Sequence, residues 1–369
     1  MKYFILSTIF FTLSACSRCQ SSQNETSVTN IPPPESEQAR QAWLKLDPDN
    51  ENTMEDAPKL LSETGIFKTV DDLEINDQFH PYELNLAFWS DSAEKSRWFY
   101  IPEGGKIDFS PEKNWNFPVG TLFVKHFEID LDRTTADNSL TRLETRILMK
   151  AKKGWAAYTY IWNDKQTDAE ISLFWATKKF DVKHADGKLK TLEWAFPGRD
   201  DCFACHGLLE PKILGAKTAQ FNRHIKINGH LIHQLETMNK RQLFSIDLSD
   251  VSNLPKFPQM HDKNASLSER ARAYLDVNCA SCHYNGGMAD LDLSMTADFS
   301  KVVNRDPDPE EENLLIPGGK IILPGNKEKS LVWIRMGRTD YHRMPTISSN
   351  VIDEDGMALI GEWIDHGAP

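Results

Sequence analysis

At 369 residues the chain exceeds what one hydrophobic core usually organises, so two or three domains are expected before any motif is read. Its 42 basic residues stand against 54 acidic ones, for a net charge of -12. No run of Lys and Arg stands out, which argues against nucleic acid as a partner.

Residues 1–15 (MKYFILSTIFFTLSA) carry one Lys and then an apolar stretch far shorter than the roughly 20 residues of a bilayer-crossing helix, which predicts a signal peptide and an exported protein. The stretch ends in Leu13-Ser14-Ala15-Cys16, which resembles the lipobox of bacterial lipoproteins. That resemblance implies cleavage before Cys16, acylation of its thiol and new amino group, and, with Ser17 following, delivery to the outer membrane facing the periplasm. Residues 17–40 are polar, Ser-rich and interrupted by three prolines, too poor in apolar surface to fold. We read 16–55 as a lipidated Cys and a flexible tether.

From 56 to 196 the chain is dense in aromatics and alternates. In Gly120–Leu131, Phe123, Phe127, Ile129 and Leu131 share one face while Glu128 and Asp130 fall on the other, the pattern of a half-buried strand. RLETRILM, GWAAYTYIW and KTLEWAF repeat the pattern, and Asp186-Gly187 stands where a tight hairpin turn is wanted. An antiparallel β domain is expected, as a sandwich. His126 reads as a surface or structural residue, and Asp164, Gln166 and Asp168 as an acidic turn rather than a cation site.

After 196, short helical patterns replace alternation, so the fold class is α+β multidomain, a β domain followed by mostly α modules. A first module is expected over 197–265 and a second over 266–369. Leu231, Ile232, Leu235 and Met238 predict a helix over 230–241. Ser266-Leu267-Ser268-Glu269 is a capping box that opens a helix. EDGMALIGEWIDHG places Met357, Ile360 and Ile364 on one stripe before a stop at Gly367 and Pro369.

The six cysteines are Cys16, Cys19 and two pairs inside CFACH (202–206) and CASCH (279–283). In CxxCH the two thiols span the two vinyl groups of a haem, and the adjacent His lies beneath the iron. Cys202, Cys205, Cys279 and Cys282 are therefore the expected covalent anchors of two haem c groups, with His206 and His283 as axial ligands. A zinc site is the weaker rival, because each motif carries its own His. Cys19 has no assigned role.

The stretch ARAYLDVNCASCHYNGG, then PGNKEKSLVWIRM, HRMP and ALIGEWIDHG resembles a class I cytochrome c domain across 266–369. The resemblance implies Met344, followed by Pro345, as the distal ligand of the second haem. It also implies that the first and last helices cross with Tyr274 against Gly361 and Trp363 filling the contact, and that the Pro324-Gly325 loop supports His283 by a backbone hydrogen bond. More widely, PYELNLAFWSDSAEKSRWFYIPEGG, NWNFPVGTLFVKHF and FPGRDDCFACH resemble a family of bacterial di-haem cytochromes c with an N-terminal β-rich domain. That likeness leaves the distal ligand of the first haem open among His224, His230, His233, Met238, Met260 and His261. Met238 is put forward because it lies on the apolar side of its expected helix.

The leading functional expectation is electron transfer through two haems between periplasmic or membrane redox partner proteins. Two alternatives stand beside it: a peroxidase-like redox enzyme with an open first haem, and a β domain that binds a substrate or partner and is served by the haems. Exposed aromatic patches on the β domain would favour the last.

Overall fold

The computed structural model describes residues 57–135, 140–152, 154–206, 213–308, 316–347 and 349–369, with only the backbone described for 203–205. The expected signal peptide, Cys16, Cys19 and the tether lie outside the described residues. Those described belong to one compact unit.

A short ribbon of β1 (Phe67–Thr69) and β2 (Glu74–Ile75) precedes a six-stranded antiparallel sheet. Its strands are β3 (His80–Pro81), β4 (Glu94–Tyr100), β5 (Leu122–Asp130), β6 (Leu140–Ala151), β7 (Gly154–Trp162) and β8 (Ala169–Ser172), each beside its neighbour in sequence. Such a meander needs only local connections, and Ala151 pairs directly with Gly154. One face carries Trp98, Leu122, Val124, Ile147 and Tyr160, which form a core with Leu61, Ile66, Phe67 and Phe79 from the ribbon and the segments flanking it. The other face carries Phe99, Phe123 and Trp155, packed with Trp115 and Phe117 and with Phe221, Leu235, Met238 and Phe244 from far downstream. Each fully buried side chain of this kind contributes about 1.5–3 kcal/mol.

Two expectations are corrected here. The strand at 122–130 is covered on both faces, not half-buried, because Leu122, Val124 and His126 are as inaccessible as Phe123 and Phe127. The β domain is also not a sandwich of two comparable sheets. The other sheets among the described residues are two-stranded, and the layers over the meander are ribbon, loop and short helix.

The hairpin of β9 (Ala176–Lys183) and β10 (Leu189–Phe196) turns at Asp186-Gly187 as expected, with Gly187 at φ +78°, a conformation that suits glycine. Its Val182, Leu192, Trp194 and Phe196 share a core with Phe127, Ile129 and Leu143. Opposite Phe127–Glu128, β6 holds Leu143 as an extra residue, a bulge that lets both Leu143 and Glu144 reach this cluster.

Beyond 196 lie α1 (Arg199–His206), α2 (Thr218–Phe221), β11 (His224–Ile227), β12 (His230–His233), α3 (Gln234–Lys240), α4 (Leu267–Asn278), α5 (Leu331–Met336) and α6 (Glu354–Asp365). The expectation of mostly α modules is not met: the longest of these helices has 12 residues and loops join them, giving a mixed α/β chain. The helix expected over 230–241 is half a strand. Asn228 and Gly229, at φ +49° and +81°, turn β11 back on β12, so Leu231 is 67% exposed and the helix begins only at Gln234.

The expected capping box is present: Glu269 N donates to Ser266 Oγ at 3.2 Å and Ser266 N to Glu269 Oε2 at 2.8 Å. α4 and α6 pack through Tyr274, Leu275, Ile360, Trp363 and Ile364. The glycine roles differ from expectation. Tyr274 lies over Gly356, where a Cβ would stand 2.3 Å from its hydroxyl, and that hydroxyl donates to Asp353 Oδ2 at 2.8 Å. Gly361 instead faces the Trp333 indole. The hydroxyl's bond to the N-cap Asp353 draws Tyr274 to the first turn of α6, five residues before the position expected.

Candidate functional site

Helix α1 carries the first CxxCH and leans on the sheet. Pro197 accepts a hydrogen bond from Thr159 Oγ1 of β7 at 3.0 Å. At Gly198 a Cβ would stand 2.9 Å from the Trp175 backbone nitrogen, so only glycine lets the chain pass there. Asp201 Oδ2 accepts from Gly198 N at 2.9 Å and fixes the start of the helix. Burial pushes the Cys202 thiol up to about 11, against the attraction of Arg146. Just beside this entry, Phe174 and Trp175 stand 79% and 48% exposed.

Cys202 and His206 line a cavity of about 760 Å³. Its floor is the sheet face with Arg97, Phe123, Lys125, Arg146 and Ala157, and its opposite wall includes Val277, Ala280, Ser281, Tyr284 and Met295. Ala280 and Ser281 are the intervening residues of the second CxxCH, so both motifs border one space. The volume falls within the range of cofactor sites, roughly 300–1,000 Å³.

Three cations stand in register across the floor. Arg97 on β4 pairs with Lys125 on β5, which pairs with Arg146 on β6. Like charges directly opposite one another oppose strand pairing. Glu144, fully buried, offsets one of them, accepting from Arg146 Nε at 2.9 Å and Nη2 at 2.5 Å, and from Trp194 Nε1 at 3.1 Å. Arg97 is buried, and its Nη2 finds no hydrogen-bond partner among the described residues. Burial, with Arg97, Lys95 and Arg146 alongside, holds the Lys125 ammonium well below the usual lysine range. The Phe127 ring centroid lies 4.7 Å from Lys125 Nζ and 4.6 Å from the Arg146 guanidinium. Sequence reasoning missed this ladder, although Lys125 in the middle of the Phe123, Phe127 and Ile129 face was its signal.

The second motif follows α4 without a break: Cys279 N donates to Leu275 O at 2.8 Å, and His283 N to Cys279 O at 2.9 Å. Burial pushes the Cys279 thiol up to about 12. His283 Nδ1 lies 3.2 Å from Met288 O, a carbonyl of the adjacent turn, and Gly325 N donates to Ile364 O. A proton on Nδ1 places the lone pair on Nε2, the tautomer a metal-ligating imidazole needs. Cys202, Cys279 and Cys282 form no disulfide.

The structure places the remaining candidates elsewhere. None of His224, His230, His233, Met238, Met260 and His261 lines the cavity. Met238 is buried with Leu235 and Phe244 in the core beneath the sheet, and the ring of His233 rests 4.9 Å from that of His224. Met295 is the methionine of the cavity wall. Met344, partly buried, is tied through its backbone nitrogen to Arg335 O at 3.1 Å and lies outside the same lining. Asp164, Gln166 and Asp168 diverge, toward Lys178, Arg142 and Ser62 respectively. His126 is fully buried, with Nδ1 at 2.8 Å from Thr145 Oγ1, which corrects the surface alternative and leaves the structural one.

No family model, curated protein or solved structure matches this chain.

Proposed function

We propose that the chain is an exported c-type cytochrome that holds two covalent haems and passes electrons between redox partner proteins. The observation that carries this reading is that Cys202 and His206 of the first motif and Ala280, Ser281 and Tyr284 at the second line one cavity. Bound haem iron supplies reversible one-electron exchange. In this reading Cys202 with Cys205, and Cys279 with Cys282, anchor the two groups, while His206, His283 and Met344 serve as axial ligands. The residues present suit such a group: the cavity has the volume, Arg97 would offer a buried donor with no protein partner among the described residues to a carboxylate of the group, and the Met288 carbonyl would orient His283. The likeness of 80–369 to bacterial di-haem cytochromes c with a β-rich N-terminal domain points the same way.

Matured in a host that attaches haem c, the chain should carry two haems that survive a denaturing gel. Replacing Cys202 and Cys205 together by Ala should halve the haem per chain, and an unchanged ratio would remove the first site from the reading. Anchoring is proposed through Cys16, whose acyl chains supply the two signals that stable membrane attachment requires. Cys16→Ser should shift the protein from the membrane to the soluble fraction, and full retention on the membrane would overturn the anchor.

A further inference from the structure

We propose that Arg97, Lys125 and Arg146 form a carboxylate-binding site on the floor of the cavity, built to take the paired carboxylates of a ligand held beside Cys202 and His206. The three residues occupy successive strands in direct register on one face, an arrangement that costs stability when empty of counter-charge. Glu144 is committed to Arg146 and Trp194, which leaves Arg97 and Lys125 without a carboxylate partner among the described residues. The other acidic residues of the lining do not meet the need. Asp276 binds Lys217 and Met295 N, Asp201 caps α1 through Gly198 N, and Glu112 is exposed at the rim. Burying cations is expensive unless each is paired and hydrogen-bonded, so the geometry calls for an anion with at least two acceptor oxygens. A guanidinium fork and an ammonium side by side match one carboxylate each through short charge-assisted bonds.

Two sources carry this chemistry: the two propionates of a haem attached at Cys202, which rests on the function proposed above, and a free dicarboxylate. The test uses the full chain, its haem content measured first, with Lys125→Gln and the charge-keeping Lys125→Arg. Propionates as the source predict that Lys125→Gln lowers the potential of the first haem by about 59 mV, a tenfold shift toward the ferric form. The second haem should be unaffected, Lys125→Arg should restore the value, and succinate should produce no saturable response. A free dicarboxylate predicts saturable succinate binding to the wild type that weakens at least tenfold in Lys125→Gln. Should the chain prove to carry no haem at the first motif, succinate titration of that same protein decides alone: binding weakened by Lys125→Gln supports the site, and its absence overturns it. A haem-loaded Lys125→Gln with unchanged potential and unchanged succinate response overturns the proposal.

Discussion

Glu144→Gln tests whether the floor of the cavity is held together by one carboxylate among crowded cations. The side chain is fully buried and makes three hydrogen bonds, two to Arg146 and one to the Trp194 indole. Glutamine keeps the shape and one accepting oxygen but removes the charge that offsets Arg146, which then faces Lys125 across the strand pair unshielded. Breaking a buried pair from one side costs about 3–5 kcal/mol. Arg146 retains 20% exposure, so the low end applies, about 3 kcal/mol, or roughly a hundredfold in the folded-to-unfolded ratio. The assay is urea unfolding followed by tryptophan fluorescence, with midpoints compared at unchanged slope. The double variant Glu144→Gln with Arg146→Met removes both charges and should recover about 2 kcal/mol of the loss. A single variant costing less than about 1 kcal/mol, or a double variant no more stable than the single, would refute the electrostatic account.

Asp91 gives the pH dependence. Burial pushes its carboxyl up to about 6, although it accepts from Val351 N at 2.8 Å. A raised folded value means the folded state holds the proton longer, so this residue's contribution is present below about pH 4 and is lost as pH rises through 6. Asp91→Asn should therefore stabilise the protein at pH 7 and leave it nearly unchanged at pH 4; equal effects at both would exclude the mechanism. In the proposed di-haem reading, Met238→Leu should lower stability by less than about 1.5 kcal/mol without altering the spectrum of the first haem, because Met238 lies in the core and outside the cavity lining. A changed spin state, or cyanide binding gained in that variant, would make Met238 the distal ligand. A wild-type ferric protein that already shows a high-spin first haem and turns over peroxide would favour the enzyme reading.

The strands were legible because alternation with aromatics is a direct image of a pleated surface, and β5, β6, β7 and β10 fall where it predicted. The helices at 267 and 354 were legible from a capping box and an apolar stripe. What was lost depended on partners distant in sequence. Whether Phe123 faces solvent or Phe117 cannot be read from residues 120–131, so a strand covered twice looked half-buried. Asn228-Gly229 was a visible hairpin signal, and the apolar spacing of Leu231 and Leu235 outweighed it wrongly. The two CxxCH motifs were plain in sequence, but that Ala280 and Ser281 share a cavity with Cys202 required the fold. The ladder required strand register, which alternation alone does not supply.

The sheet is assembled from sequence neighbours, yet its inner face is closed by residues about a hundred positions away, as in the stacking of Tyr82 on Phe221 at 5.0 Å. Pairing and covering are thus separate in contact order, the first fast and local, the second slow and long-range. A chain emerging from its amino terminus can complete β3 to β10 while Phe99, Phe123 and Trp155 still lack Phe221, Leu235 and Phe244. CFACH emerges in that interval, so Cys202 is presented beside an open aromatic platform before the residues that cover it follow. A chain cut before residue 213 would leave that aromatic platform bare, and self-association through it is the failure to expect from truncation.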